Sequence, residues 1–481
     1  MAIKLDIESY PGNIINNKFV PTPKTRHSID PATGQPLYEV PIAREEDVDA
    51  AVKAARTAFK SWSTTSFSKR AELLLQYADA VEANRDELEL LLTKEQGKPL
   101  TLSHTELDCA IRWLRAFATM EIKDEILQED DDKIVYSTYP PIGVCAGIVP
   151  WNWPILLGLG KLGPALITGN TFIMKPSPYT PYCDLKVGEL AMGIFPPGVV
   201  QVLSGDDRLG PWLTEHPGID KISFTGSIAT GKLVAASCAK TLKRYVLELG
   251  GNDAAIVCAD VDIDKCLPKI ATLSFLNSGQ ICMLAKRIYI HESIYDDFKD
   301  KMVDFTKNNI KTGAGTEKDV VVGPVQNKMQ FDKVKDLYSQ IEKQAWKTAL
   351  AGSVGESRNG YFITPAIIDN PPEDSRIVVE EPFGPIVPLL KWSDEDDVID
   401  RANALRTGLG ASVWSKDVKR AEGMARRLEA GSVWVNSHFD VDPKVPFGGH
   451  KESGIGMEWG MEGLKHYTNS RSLWVWKTVF E

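Results

Sequence analysis

Residues 221–231 read Lys-Ile-Ser-Phe-Thr-Gly-Ser-Ile-Ala-Thr-Gly, which is a short apolar run, a Gly-Ser turn and the start of a helical segment. Runs of the same kind occur at 144–149, 171–174 and 199–203, and each leads through Gly or Pro into a helical segment. Alternation of short apolar strands with helices is typical of a parallel, doubly wound sheet. The sequence therefore predicts an α/β fold.

The same pattern returns further along the chain. A second series of apolar runs lies at 254–257, 287–290, 386–390, 412–414 and 433–435. Two α/β domains in series fit both series better than one very large sheet. Before the first series, apolar side chains at helical spacing predict one helix at 45–63 and another at 68–94, which Gly97 and Pro99 would stop.

Two further segments differ from these runs. Residues 133–139 alternate like an antiparallel strand, and residues 473–476 (Leu-Trp-Val-Trp) are apolar on both faces. Apolar chain ends are rarely left in water. We therefore expect both segments to form a small sheet that meets another subunit, and the alternative is a terminal strand packed within its own chain.

Composition excludes several classes of function. The chain has 481 residues, a net charge of −10 and seven cysteines. The negative charge disfavours nucleic acid and anionic membranes as partners. No signal peptide or membrane span is expected, and an odd number of cysteines without CxxC pairs predicts neither a disulfide framework nor a zinc site. We expect a cytoplasmic protein with no metal.

Three stretches carry candidate chemistry. The turn at 225–227 could bring backbone N–H groups to a pyrophosphate at a helix N-terminus. Glu248 comes just before Gly250 and Gly251, where a sharp bend would expose its carboxylate. Cys282 follows the Gly-containing segment 277–280, so its thiol would be open to a carbonyl substrate. Each stretch alone also fits a simpler interpretation: a structural turn, a surface carboxylate, or one of seven buried thiols.

Four other Pro- and Gly-rich pieces occur in a fixed order with these three. They lie at 150–154, 175–178, 380–385 and 446–454. Together the set resembles the aldehyde dehydrogenase superfamily, over about residues 12–481. The resemblance includes the motifs Gly279-Gln280-Ile281-Cys282 and Glu248-Leu249-Gly250-Gly251, and the 34 residues between Glu248 and Cys282 (282 − 248) suit that family.

The resemblance implies a fold and a division of the chain. A Rossmann-like dinucleotide-binding domain would comprise residues 1–120 and 142–250, and an α/β catalytic domain residues 251–448. A small β extension for oligomerisation would comprise residues 121–141 and 465–481. A homodimer or homotetramer is expected.

It also implies a reaction on a small-molecule aldehyde. The Cys282 thiolate would attack the aldehyde carbon, and the side-chain amide of Asn152 with the backbone N–H of Cys282 would hold the oxyanion. Loss of hydride to the nicotinamide would leave a thioester, which water activated by Glu248 would hydrolyse. Glu248 could also help to deprotonate Cys282.

The expected cofactor contacts follow from the same resemblance. Gly226 and Ser227 would lie at the pyrophosphate, Lys175 at the adenosine ribose, and Glu381 with Phe383 at the nicotinamide ribose. The other expected contacts are Ile148, Val149, Trp151, Ser177, Pro178 and Leu249. Many NAD-preferring relatives carry a Glu at the position of Pro178, which would repel a 2′-phosphate. Its absence permits NADP without requiring it, because no new Arg is evident alongside, so we expect NAD and consider NADP possible.

The expected substrate pocket is largely apolar, which favours a neutral aliphatic or aromatic aldehyde. Its members would be Trp153, Leu157, Ile281, Met283 and the loop 437–442. Gly160, at a position often aromatic in relatives, would leave a wider tunnel. His438 could contact a polar tail, with an exposed loop histidine as the other interpretation.

Three rival functions remain. A CoA-acylating aldehyde dehydrogenase would resolve the thioester with CoA, but such relatives commonly lack the base at the position of Glu248. A non-catalytic structural protein on this fold would be expected to lose Cys282, Glu248 or Asn152, and all three are present. A metal-dependent dehydrogenase has no paired His or Cys spacing to support it.

Overall fold

The short apolar runs of the sequence form strands of two separate sheets in the structure, a computed structural model that describes residues 4–9, 12–355 and 359–478. The ends of the chain at 1–3 and 479–481, which the sequence analysis assigned to the first domain and to the C-terminal extension, lie outside the described residues. The described strands are β1 (Asn13–Ile15), β2 (Lys18–Val20), β3 (Thr25–Ile29), β4 (Pro36–Pro41), β5 (Glu125–Glu129), β6 (Lys133–Thr138), β7 (Val144–Ile148), β8 (Thr171–Lys175), β9 (Val200–Val202), β10 (Lys221–Thr225), β11 (Arg244–Glu248), β12 (Asp253–Val257), β13 (Ala285–His291), β14 (Thr348–Leu350), β15 (Ala366–Asp369), β16 (Ile386–Trp392), β17 (Thr407–Gly408), β18 (Gly410–Trp414), β19 (Ser432–Val435), β20 (His450–Lys451), β21 (Gly454–Ile455) and β22 (Arg471–Trp476).

The helices lie mainly between these strands, as the α/β prediction requires. The described α-helices are α1 (Glu45–Trp62), α2 (Phe67–Ala83), α3 (Arg85–Gln96), α4 (Leu100–Phe117), α5 (Pro154–Ile167), α6 (Pro181–Met192), α7 (Leu209–Glu215), α8 (Ile228–Ala239), α9 (Ile263–Phe275), α10 (Tyr295–Asn309), α11 (Lys328–Lys343), α12 (Arg376–Val379), α13 (Glu395–Asn403), α14 (Val418–Ala425) and α15 (Gly460–Lys465). A 3₁₀ turn at Leu276–Gly279 precedes the Cys282 region.

The first sheet has the strand order β2-β1-β9-β8-β7-β10-β11-β21, and its five central strands are parallel. All five residues of β7 and all five of β8 are buried, as expected for strands that are covered on both faces. The second sheet has the order β14-β15-β16-β13-β12-β18-β19 and is parallel except at β14. The strands predicted from both series of apolar runs are therefore confirmed.

The helices before the first sheet correct one prediction. The helix expected at 45–63 is α1, but the single helix expected at 68–94 is two helices, α2 and α3. Asn84 separates them with φ −114° and ψ 24°, outside the helical region. Its side-chain oxygen accepts a hydrogen bond from the backbone N–H of Leu5 at 2.8 Å, so a distant contact supports the break.

The third sheet brings together the two segments that the sequence singled out. Strand β6 pairs antiparallel with β5 and with β22, with Leu473 opposite Tyr136 and Trp474 opposite Val135. The side chains of β22 remain exposed, with 56% of Trp474 and 59% of Trp476 accessible. The small sheet is thus confirmed, and its contact with another subunit stays a prediction. Among the described residues, none of the helices has the length and apolar character that crossing a membrane requires.

Candidate active site

One apolar cavity gathers most of the residues that carry candidate chemistry. Cys282, Asn152 and Glu248 all line it, and nearly all of its surface is apolar. The three residues come from different parts of the fold: the loop after β7, the end of β11, and the segment between α9 and β13. The two parallel sheets therefore meet at this cavity.

The segment before Cys282 has an unusual backbone. Asn277, Ser278 and Gly279 have φ values of 50°, 60° and 74°, so three consecutive residues are left-handed. A Cβ atom on Gly279 would lie 2.1 Å from the backbone oxygen of Gly384, so only glycine fits there. The Ser278 hydroxyl donates to the carbonyl of Gly323 at 2.8 Å. These contacts offset the strain and fix the turn that presents Cys282.

The Cys282 thiol is partly exposed to the cavity but surrounded by protein. Burial raises its pKa to about 12, and the carboxylates of Glu381, Asp253 and Glu248 add to this shift. The positive charge of Lys286 acts in the opposite direction. The thiol is therefore protonated at neutral pH, and a nearby base is needed to form the thiolate.

Asn152 is held from several sides in the loop that leads into α5. Its side-chain amide donates to the carbonyl of Gln280 at 3.0 Å, two residues before Cys282. The backbone carbonyl of Asn152 accepts hydrogen bonds from the Lys98 ammonium at 2.8 Å and from the side-chain amide of Asn277 at 3.3 Å. A side-chain amide has two N–H donors, and the described residues accept only one of those of Asn152, so the other is available to an oxygen beside Cys282.

Glu248 is the last residue of β11 and is 3% exposed. Neither of its carboxylate oxygens has a hydrogen-bond partner among the described residues. Burial raises the pKa of Glu248 well above its usual range, and the neighbouring charge of Glu458 raises it further. A carboxyl group of this kind can hold a proton and release it near the working pH, as a general base requires.

A buried ion pair, Lys161 with Glu458, lies beside Glu248. Glu458 lines the same cavity and forms an ion pair with Lys161. The Lys161 ammonium also donates to the hydroxyls of Thr225 at 2.7 Å and Ser223 at 3.2 Å, and its charge opposes the rise in the pKa of Glu248. The two charges of this pair therefore act in opposite directions on the pKa of the candidate base.

Several of the expected cofactor contacts lie at the carboxyl ends of the first sheet's strands. Ile148 ends β7, Lys175 ends β8, and the Val149 N–H donates to the Lys175 carbonyl at 3.0 Å. The buried Lys175 ammonium has one hydrogen-bond partner in the described part of the chain, the Pro176 carbonyl at 3.1 Å, which leaves donors for a ligand. Burial lowers the pKa of Lys175 to about 8. Ser177 lies next along the chain, and its hydroxyl accepts a hydrogen bond from the Tyr179 N–H at 3.2 Å.

The turn at the half-buried Gly226 and the exposed Ser227 leads into helix α8. The Ser227 hydroxyl accepts a hydrogen bond from the Thr230 N–H at 3.2 Å, which caps the helix. The remaining N–H groups of the first turn point out of the helix end and suit a phosphate. Leu249 packs against Gly231 of this helix and also lines the cavity.

Glu381 and Phe383 lie in the segment between α12 and β16. The half-buried Glu381 carboxylate accepts the Gly251 N–H at 3.4 Å and forms an ion pair with Lys286. The Phe383 ring meets the Trp151 ring edge to face at 5.4 Å. The expected nicotinamide-ribose contacts therefore adjoin both the turn after Glu248 and the Cys282 segment.

Four of the five residues named for the substrate pocket line the cavity, and one does not. Trp153, Leu157, Ile281 and Met283 line the cavity, but His438 does not. The interpretation of His438 as an exposed loop residue is also wrong, because its side chain is buried. Its Nε2 lies 3.2 Å from the Met283 carbonyl, and its Nδ1 lies 2.9 Å from the Ser412 hydroxyl. The ring therefore contacts the backbone of Met283, which lines the cavity, without lining the cavity itself. Burial lowers the pKa of His438 to about 4, which keeps it neutral.

The expected opening at Gly160 is also corrected. Gly160 does not line the cavity, because the indole of Trp459 occupies the space beside it. Trp459 stacks on Phe447 at 5.1 Å, and both rings line the cavity. The ring of Trp459 lies beside Gly160, where an aromatic residue at position 160 was absent, so the tunnel is not widened at Gly160.

Sequence reasoning missed further residues at the site. They comprise the charged side chains and the additional cavity wall, namely Lys98, Lys161, Lys286, Glu458, Thr105, Cys109, Leu156, Thr225, Phe447 and Trp459. Phe439 and Val441 also line the cavity, and both belong to the loop 437–442 that was expected there. One signal was available: Lys161 interrupts the apolar helix segment Leu159–Ala165, and a lysine in such a segment is buried only when paired. Among the described residues, no group of three or more His, Cys, Asp or Glu side chains could hold a metal ion.

Known proteins resemble this chain over nearly its whole length. The family model described as "Aldehyde dehydrogenase family" matches residues 19–473. Aldehyde dehydrogenase LUC3 of Fusarium sp is 41% identical over 466 residues, which cover 97% of this chain and 98% of LUC3. Phenylacetaldehyde dehydrogenase of Pseudomonas fluorescens is 38% identical over 465 residues, which cover 94% of this chain and 92% of that protein.

A solved structure gives the same result for the fold. The NAD⁺ complex of an aldehyde dehydrogenase from Bacillus cereus superposes with a TM-score of 0.95 at 36% identity, over 98% of each chain. The α/β fold with two parallel sheets and a small third sheet is thus that of the solved aldehyde dehydrogenases. On the sequence match over nearly the whole chain and the agreement of the fold, this chain belongs to the aldehyde dehydrogenase family.

Proposed function

We propose that this protein oxidises an aldehyde to a carboxylic acid with NAD, through a covalent thioester on Cys282. The observation that carries the proposal is the convergence of Cys282, Asn152 and Glu248 on one apolar cavity. A nucleophile, an oxyanion donor and a general base are the groups that this reaction needs from the protein.

The Cys282 thiol is the nucleophile. Because burial keeps the thiol protonated, with its pKa raised to about 12, its proton must be taken by a base in the cavity. Glu248 is the carboxyl group suited to that task, because burial raises its pKa also. The thiolate then bonds to the carbonyl carbon, and the free N–H of the Asn152 amide donates to the resulting oxyanion.

Glu248 acts a second time in the hydrolysis of the thioester. Its carboxylate takes a proton from water, which attacks the acyl carbon and releases the acid and the Cys282 thiolate. The unpartnered carboxylate oxygens are free to bind that water. The adjoining Lys161–Glu458 pair sets the electrostatic balance in which Glu248 gains and loses its proton.

The residues present fit a nicotinamide dinucleotide. Lys175 would bind the adenosine ribose and the N-terminus of α8 at Gly226 and Ser227 would bind the pyrophosphate, while Glu381 would bind the nicotinamide ribose. Ile148, Val149 and Trp151 would line the channel. When bound, the nicotinamide supplies the hydride acceptor for the oxidation. The solved Bacillus cereus relative was obtained as an NAD⁺ complex, which supports NAD as the cofactor.

Pro178 permits NADP without requiring it, because it lacks the carboxylate that would repel a 2′-phosphate. Arg26 is a cation near Lys175 that the sequence did not suggest. Its positive charge lowers the pKa of Lys175, and the negative charge of Asp207 raises it. The variant Pro178→Glu should reduce NADP-dependent turnover and leave NAD-dependent turnover in place. Equal use of NADP by both forms would show that position 178 does not select the cofactor.

The substrate in this proposal is a neutral aliphatic or aromatic aldehyde. Trp153, Phe439, Phe447 and Trp459 give the cavity an aromatic wall, and its two carboxyl groups, Glu248 and Glu458, are buried. An apolar wall suits an uncharged side chain. The similarity to phenylacetaldehyde dehydrogenase is consistent with an arylalkyl aldehyde.

The assembly in this proposal is a homodimer or homotetramer in the cytoplasm. The exposed apolar side chains of β22, with Ile126 and Leu127 of β5, form a surface that a second copy could cover. All seven cysteines are unpaired, which suits a reducing compartment. Analytical ultracentrifugation of wild type and of the double variant Trp474→Ser, Trp476→Ser should show an oligomer and a smaller species, respectively.

The test of the activity is spectrophotometric. Wild type should reduce NAD in the presence of phenylacetaldehyde, benzaldehyde or hexanal, and Cys282→Ala should not, although it should still quench its tryptophan fluorescence on binding NAD. Cys258→Ala is the matched control, since that thiol is buried directly after strand β12 and does not line the cavity. Equal turnover by Cys282→Ala would overturn the covalent mechanism.

A further inference from the structure

Lys286 is a buried lysine four residues after Cys282, in strand β13, and only 4% of its side chain is exposed. Its ammonium donates to the backbone carbonyl of Cys282 at 2.9 Å and to that of Gly251 at 3.2 Å. It also forms an ion pair with Glu381. One ammonium thus joins the nucleophile segment, the turn after Glu248, and the loop that carries Glu381.

These three contacts use all three N–H donors of a lysine ammonium. The same group lies 5.2 Å from the centre of the Phe383 ring. A buried ammonium is costly unless it is fully paired, so its partners are held in a narrow range of positions. The side chain does not line the substrate cavity, so Lys286 acts on the site through the groups that it bonds.

We propose that Lys286 is a positioning residue that fixes the Glu381 carboxylate relative to Cys282, so that the ribose contact of NAD and the nucleophile keep one geometry. The inference rests on the proposed function, in which Glu381 binds the nicotinamide ribose. Without the ammonium, the Glu381 carboxylate keeps only the Gly251 N–H, at 3.4 Å, among its hydrogen bonds in the described residues. A carboxylate held so weakly would sample other positions.

Lys286 has a second effect on the same site through its charge. The titratable groups that act on the Cys282 thiol are Lys286, Glu381, Asp253 and Glu248, and only Lys286 favours the thiolate. Its removal should therefore raise the pKa of the thiol further. This effect can be measured without any cofactor, which separates it from the effect on NAD binding.

The test compares Lys286→Met, Lys286→Gln and Lys286→Arg, each alone and combined with Glu381→Gln. Two readouts are used: the Kd of NAD from tryptophan quenching, and the rate at which iodoacetamide alkylates the cofactor-free protein at Cys282 at pH 8. Lys186→Met is the matched control. Lys186 is also a buried lysine, but it bonds the backbone carbonyl of Asp6 at 2.6 Å, on another part of the molecule.

Lys286→Met should weaken NAD binding about tenfold, the scale of one lost charged hydrogen bond. It should also slow alkylation, and Lys286→Arg should restore part of both losses because it keeps the charge. In the Glu381→Gln background, Lys286→Met should change the Kd little but should still slow alkylation. Lys186→Met should match wild type in both readouts. Lys286→Gln gives the same comparison if the methionine variant does not fold.

Two results would overturn the inference. One is an unchanged Kd of NAD in Lys286→Met and Lys286→Gln, and the other is an equal loss of affinity with and without Glu381. Both readouts stand apart from turnover. A wild type that binds NAD but oxidises no aldehyde would refute the proposed function. The Kd of NAD and the rate of alkylation would still decide the role of Lys286.

Discussion

The indole of Trp459 lies so close to Gly160 that a Cβ atom added to the glycine would be 3.1 Å from its Nε1. The ring is held there by stacking on Phe447 at 5.1 Å and by an edge contact with Trp113 at 5.2 Å. Trp459 therefore sets the depth of the cavity, in place of a residue at position 160.

The variant Trp459→Leu should deepen the cavity over Gly160. We expect the KM for long straight-chain aldehydes such as decanal to fall, with little change for benzaldehyde, because only the long chains reach the new space. Loss of the ring should cost about 2–4 kcal/mol of stability. Trp62→Leu, which removes a buried tryptophan far from the cavity, controls for that cost. An unchanged chain-length profile would count against this assignment.

Asn152→Ala should lower kcat for aldehyde oxidation by about 10²- to 10³-fold, the usual effect of losing one oxyanion donor. The Kd of NAD and the alkylation of Cys282 by iodoacetamide, which forms no oxyanion, should change little. Steady-state kinetics beside alkylation rates checks both points. If alkylation fell as far as kcat, the side chain would be acting on the shape of the segment rather than on the oxyanion.

Glu248→Gln should slow the release of the acid more than the formation of the thioester. A rapid-mixing experiment at high pH, where the Cys282 thiol ionises more readily, should then show a burst of up to one reduced nicotinamide per site followed by slow turnover. Addition of CoA should not accelerate wild type. A CoA-dependent increase, with acyl-CoA as the product, would instead favour the CoA-acylating alternative.

Activity should rise with pH between about 6 and 9. Burial raises the pKa of Cys282 to about 12 and that of Glu248 well above its usual range, and both groups must lose a proton before they act. The rate of alkylation of Cys282 should therefore increase about tenfold per pH unit below the thiol pKa. A flat profile between pH 7 and 9 would mean that the thiolate is already formed at neutral pH.

The strands were predictable from the sequence because each is a short run of apolar, often β-branched residues closed by Gly or Pro. The break between α2 and α3 was not predictable, because it depends on Asn84 and its contact with Leu5, 79 residues away. Local periodicity contains no information about such a contact.

The residues of the candidate site also fall into a group that the sequence predicted and a group that it did not. Cys282, Glu248 and Asn152 stand in local motifs, and the resemblance of those motifs to the aldehyde dehydrogenase superfamily singled them out. The charged pairs around them join distant residues: Lys161 and Glu458 are 297 positions apart, and Lys286 and Glu381 are 95 apart. The buried place of His438 depends on Ser412 and Met283, which lie in other segments. Pairing of this kind appears only when the chain is folded.

The three left-handed residues that precede Cys282 bear on when the enzyme becomes active during its synthesis or refolding. An isolated chain disfavours three such residues in succession, and here Gly384, more than a hundred positions later, packs against Gly279 and supports the turn. Cys282, the proposed nucleophile, is therefore presented only after the segment that leads into β16 has packed against this turn. Until then Cys282 is an ordinary thiol, so the recovery of activity should lag behind the recovery of helix and strand signals.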